Sequence, residues 1–109
     1  MSISYDEFEK VDIRIGTIVS AEKMEGADKL LILKVDFGDE GIRQIVSGIS
    51  QYFPEPHMLV GVQTTFVFNL EPRTLRGYES NGMLFAHGEG DTFTLLVPQK
   101  KVPPGKPLH

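Results

Sequence analysis

The chain has 109 residues, 40% hydrophobic and 24% charged, with 15 acidic and 11 basic side chains, no cysteine and a net charge of −4. These values fit one globular domain that buries roughly 65% of its unfolded surface; they exclude a disulfide framework or thiolate site, and no run reaches the ~20 apolar residues of a membrane span. Residues 1–12 carry −3 of the charge and the other 97 only −1, which excludes a generically basic surface and leaves any polyanion site as a local patch.

In chain order, Ser4 is a candidate N-cap, with Asp6 and Glu7 in the first turn of a short helix over residues 1–10 whose Tyr5 and Phe8 are expected to face inward. Its acidic start, without an apolar stretch, is unlike a signal peptide and points to the cytoplasm. The run VDIRIGTIVSAEKM (11–24) alternates as a long first strand, and its break in phase at Gly16–Thr17 predicts a bulge. MEGADK is a turn. LLILKVDF follows as the second strand, with Leu31, Leu33, Val35 and Phe37 on the core face, and GDEG connects it to the third, IRQIVS. Pro54 and Pro56 interrupt the next segment, a short helix or irregular stretch. Strand four is expected near Val62–Phe68, strand five near Gly82–His87 and a further strand at Phe93–Val97, with Phe66, Phe68, Phe85 and Phe93 in the core. The proline-rich end VPPGKPLH of the C-terminal extension (98–109) is expected to be extended, either packed against a neighbouring surface or frayed.

Between strands four and five, NLEPRTLRGYESNGM (69–83) reads as a long loop, and loops of that length in small domains are more often functional than idle. Arg73 and Arg76 suit phosphate, Asn69, Ser80 and Asn81 hydrogen bonds, and Tyr78 a base or sugar. Gly77 and Gly82 permit close backbone approach. The alternative is a solvated loop. The whole pattern fits an all-β OB-fold, a five-stranded Greek-key barrel with a short N-terminal helix and a short helix between strands three and four. In that fold the loop between strands one and two (24–29) and the loop between four and five (69–82) flank the binding face. Strands two and three carry no aromatic residue, so stacking of an unpaired strand is not expected there.

The pattern N-L-x-P-R-x-L-x-G-x-x-S-x-G-M resembles the signature of the tRNA-binding domain found at the C-terminus of many methionyl-tRNA synthetases. The same domain forms stand-alone bacterial tRNA-binding proteins, CsaA-type secretion chaperones and the endothelial monocyte-activating polypeptide module. Three further segments agree with it: 8–30, 34–49 and 52–61, so that the resemblance spans residues 8–104. It implies non-catalytic binding of folded tRNA with little regard to its identity. It places Lys29, in A-D-K-L, on phosphate unless it is merely solvated, with Arg73 and Arg76 as the main phosphate ligands. Asn69 and Ser80 either touch RNA or close the loop through backbone hydrogen bonds, and Met83 either lines the site or is buried. Arg14 and Arg43 either extend the patch or pair with Asp12, Asp36 or Glu40.

The resemblance also implies a homodimer, for which the apolar Ile3, Tyr5 and Phe8 and the tail offer surface, and a methionyl-tRNA synthetase catalytic chain as a partner. No enzyme, metal or cofactor is expected: the three histidines are scattered, and no phosphate-loop, dinucleotide or synthetase catalytic signature is present. The alternative function is a CsaA-like chaperone for unfolded polypeptide, with Leu30, Ile32, Phe53, Met58 and Leu59 as candidate groove residues.

Overall fold

A computed structural model describes residues 1–109. Helix α1 (Tyr5–Phe8) is a single turn, with the Ser4 side chain accepting a hydrogen bond from the Glu7 N–H. Strand β1 (Ile13–Lys23) is long enough to serve two neighbours. Its first half pairs with β4 (Gln63–Val67), from Ile13 opposite Val67 to Thr17 opposite Gln63, and its second half with β2 (Leu31–Asp36). Strand β3 (Ile42–Ser47) adds to β2, and β7 (Met83–Leu84) to β4, giving an antiparallel sheet of order β3-β2-β1-β4-β7.

The sheet curls until its two edges meet. The Asn81 N–H donates to the Gln44 carbonyl (2.8 Å) and the Val46 N–H to Ser80 Oγ (2.9 Å), so the chain entering β7 is tied to the free edge of β3. Inside lie Ile18, Leu31, Leu33, Val35, Ile45, Phe66 and Leu84, with Phe37 edge-on to Phe66 and Phe68. Two short 3-10 helices, Ser50–Tyr52 and Pro56–Leu59, make up the segment between β3 and β4, where the sequence predicts a short helix or irregular stretch, and carry Leu59 into the core. No helix is long and apolar enough to cross a membrane.

Several sequence expectations need correction. The bulge is at Val19, between Ile18 and Ser20, and not at Gly16–Thr17. Gly16 stays in register with Thr64, and its missing side chain makes room for Val35 and Phe37, into which a Cβ would run. Tyr5 and Phe8 are 70% and 51% exposed, because one helical turn outside a filled barrel has nothing to insert into. Residues 69–83 are not a loop: β5 (Arg73–Leu75) and β6 (Tyr78–Ser80) form a hairpin. Its turn residues Arg76 and Gly77 both have positive φ, 52° and 86°, the backbone twist that matches a tight hairpin.

The fifth strand is broken as well. β7 pairs with β4, whereas β8 (Ala86–His87) pairs with β9 (Thr94–Leu95). Leu84 and Ala86 take the inward positions, which turns Phe85 outward, 41% exposed. Phe93 is half-buried and stacks on Tyr52 at 4.0 Å between ring centroids. The tail runs back along β1, with the Gly105 N–H on the Ile15 carbonyl and the Leu108 N–H on the Ile13 carbonyl.

Candidate nucleic-acid interface

The hairpin does not stand free. On its barrel side Leu75 packs on a second apolar cluster, Met24, Ile32 and Val46, together with Ala27 and Leu30. Met24 and Ala27 belong to the loop between β1 and β2, and Ile32 and Val46 are cross-strand partners on the outer face of β2 and β3. The hairpin therefore roofs that face and rests on the first loop, with Arg76 Nη1 3.5 Å from the Gly26 carbonyl. Polar contacts add to the hold: Gln44 Nε2 donates to the Glu79 carbonyl (2.9 Å), and Lys34 Nζ to Gln44 Oε1 (2.7 Å). Ile32 and Leu59 are buried, so neither offers the exposed groove expected for a polypeptide.

This geometry brings Lys29, Arg73, Arg76 and Tyr78 onto the exposed parts of one hairpin-and-loop assembly. The only ion pairs in the protein are those of Arg14, with Asp12 (2.9 Å) and Glu40 (3.7 Å). Lys29, Arg73 and Arg76 thus keep their charges without a carboxylate partner, and the two guanidiniums can each grip a phosphate by two N–H groups.

The other predicted residues sit elsewhere or are already engaged. Asn69 is exposed, but its Oδ1 accepts from the Asp12 N–H (2.9 Å) and its Nδ2 donates to the Lys10 carbonyl (2.7 Å), which ties the end of β4 to the entry of β1. Ser80 is buried; besides accepting from Val46 it donates to the Gly82 carbonyl (3.0 Å). Met83 lies in one outward-facing row with Val67 and Ile13 on the β7-β4-β1 side of the sheet, 45% exposed. Arg14 pairs with Asp12 and Glu40, and not with Asp36; the Asp12 hydrogen bond chiefly raises its pKa further, against the effect of burial. Arg43 donates to the Phe68 carbonyl (2.8 Å), and both arginines lie over the Phe68 ring, at 4.2 and 3.5 Å from its centroid.

Sequence reasoning missed Leu75, Gln44 and Lys34 as the residues that seat the hairpin. The signal for Leu75 was present: Arg73-x-Leu75 and Tyr78-x-Ser80 alternate on either side of a two-residue turn.

The family model described as "Putative tRNA binding domain" matches residues 13–107. A methionine–tRNA ligase of Methanococcoides burtonii is 48% identical over 108 residues, covering 98% of this chain and 16% of the ligase. That of Thermococcus kodakarensis is 45% identical over 100 residues, covering 92% of this chain and 13% of the ligase. The chain thus spans 13–16% of the length of these relatives. Among solved structures, a MetRS related protein from Pyrococcus horikoshii superposes with a TM-score of 0.90 at 35% identity, covering 100% of this chain and 99% of that one. The chaperone CsaA of Bacillus anthracis gives 0.89 at 26% identity, with 100% of both chains covered.

Proposed function

The chain belongs to the tRNA-binding domain family, and from that membership we propose that it is a non-catalytic module that binds folded tRNA by shape and backbone contacts, largely independent of amino-acid identity. The observation that carries this reading is the seated hairpin: it presents Arg73, Arg76 and Tyr78 beside Lys29 on a rigid support. By roofing the outer face of β2 and β3, it also removes the platform on which a sequence-tolerant single-strand binder stacks bases. The module works in the cytoplasm, in trans with a methionyl-tRNA synthetase catalytic chain or as part of one; the ligase relatives support that partner.

It acts as a homodimer. The exposed Met83 and Phe85 and the half-buried Ile13 give the β7-β4-β1 face an apolar surface, with Val67 buried beneath them. Tyr5, Phe8, Val11, Ile13 and Leu108 continue it as a groove of about 310 Å³. A two-fold copy would cover both. The same apolar face is what a CsaA-like binder of unfolded polypeptide would use, and one experiment separates the readings. Size-exclusion chromatography with light scattering should give twice the 12.2 kDa chain mass and co-elution of bulk tRNA, with a denatured polypeptide eluting apart. A monomer contradicts the dimer, and co-elution of the polypeptide without tRNA contradicts the RNA reading.

A further inference from the structure

The hairpin and first loop are poorly charged for a polyanion. Residues 69–82 set Arg73 and Arg76 against Glu71 and Glu79, a sum of zero, and residues 24–30 set Lys29 against Glu25 and Asp28, a sum of −1. The positive charge lies elsewhere. Residues 92–109 hold Lys100, Lys101 and Lys106 and no acid, while the other 91 residues carry 15 acids and 8 bases, a sum of −7. The affinity of a protein for a phosphate backbone rests mainly on counterions released by its cations. Two arginines flanked by two glutamates can orient an RNA, but they add little net attraction.

The tail that carries these lysines is fixed in place. The Val102 N–H donates to Gln63 Oε1 (3.0 Å) and Gln63 Nε2 to the Val102 carbonyl (2.6 Å), so one buried glutamine clamps the backbone on both sides. Upstream, Thr64 Oγ1 donates to the Leu96 carbonyl (2.9 Å); downstream, Arg14 Nη1 donates to the Gly105 carbonyl (2.9 Å). Between these anchors Lys100 and Lys101 line an open cleft of about 330 Å³ formed by residues 61–63 and 97–101, with no acidic residue in its lining. Lys101 also borders a neighbouring cleft that contains Asp36, so the acid-free side is the one it shares with Lys100. Both ammonium groups belong to exposed residues without a carboxylate partner.

We propose that the Lys100–Lys101 cleft is a second RNA-backbone site, separate from the hairpin, that supplies much of the electrostatic attraction while the hairpin supplies orientation. The inference rests on the tRNA-binding reading. The tail lies along β1 and β4 and the hairpin along β3, so the two sites fall on different parts of the barrel. A large folded RNA offers phosphates to both.

The test is the salt dependence of tRNA binding by the full chain, its Lys100→Gln/Lys101→Gln variant and the charge-preserving Lys100→Arg/Lys101→Arg variant. Every phosphate that a variant leaves unneutralised lowers the slope of log affinity against log salt by about one. The glutamine variant should therefore have a slope shallower by about 2 and, for equal affinity at about 1 M salt, bind about 100-fold more weakly at 0.1 M salt, with an unchanged melting temperature; the arginine variant should keep both slope and affinity. Wild-type slope and affinity in the glutamine variant overturn the second site and leave the tRNA reading intact. If the unsubstituted protein shows no salt-dependent tRNA binding, both fall.

Discussion

Arg73 and Ser80 face each other across the hairpin, and their surroundings give them opposite tasks. Ser80 is buried with its hydroxyl engaged as acceptor and as donor, so it fastens the hairpin to β3. Arg73 is exposed and without an ion-pair partner, so its guanidinium remains available. Asn69 resembles Ser80 in this respect, since both ends of its amide are spent on the N-terminal connector. The free side chains are therefore the ones whose removal should affect binding alone. Arg73→Ala and Arg76→Ala should each weaken tRNA binding by about 1–2 kcal/mol, the size of a hydrogen bond to a charged group. Thermal melting should stay near wild type, because neither residue contributes to the core. Wild-type affinity in both variants, measured by filter binding, would remove the hairpin from the site.

At the level of elements, the main sheet was legible because period-two burial is a strong signal. Leu31, Leu33 and Val35 on β2 and Ile45 on β3 are buried as their alternation demands. What was hidden was hidden for local reasons. The hairpin turns on Arg76–Gly77, and an arginine at positive φ lacks the Asn-Gly or Asp-Gly mark of such turns. Gly16 resembled a bulge but serves close packing, and Phe85 resembled a core residue but sits where the strand changes partners. The candidate site was legible as a segment, but its division into exposed side chains and buried fasteners depends on tertiary burial. Leu75 is the hairpin's apolar anchor. Leu75→Ala should cost about 1–2 kcal/mol of stability, below the range for a fully buried leucine because this one is half-buried. It should also weaken tRNA binding although Leu75 itself is not a proposed RNA ligand, and Leu75→Met should restore both. A Leu75→Ala protein that is less stable yet binds tRNA at full strength would show that the hairpin needs no seat.

For the molecule as a whole, the two proposed sites would account for how an acidic chain of net charge −4 takes a polyanion. In that proposal the charge-balanced hairpin fixes the geometry and the acid-free tail brings the cations. β2 and β3 carry no aromatic platform, which is the ground for proposing that the ligand is recognised as a folded object. The most direct measurement is a competition in which polyuridylate is titrated against a preformed complex with bulk tRNA, at equal nucleotide concentration and about 0.1 M salt, where backbone contacts still dominate. The account predicts that tRNA remains bound and that heat-unfolded tRNA competes no better than polyuridylate. Efficient displacement of tRNA by polyuridylate would contradict it.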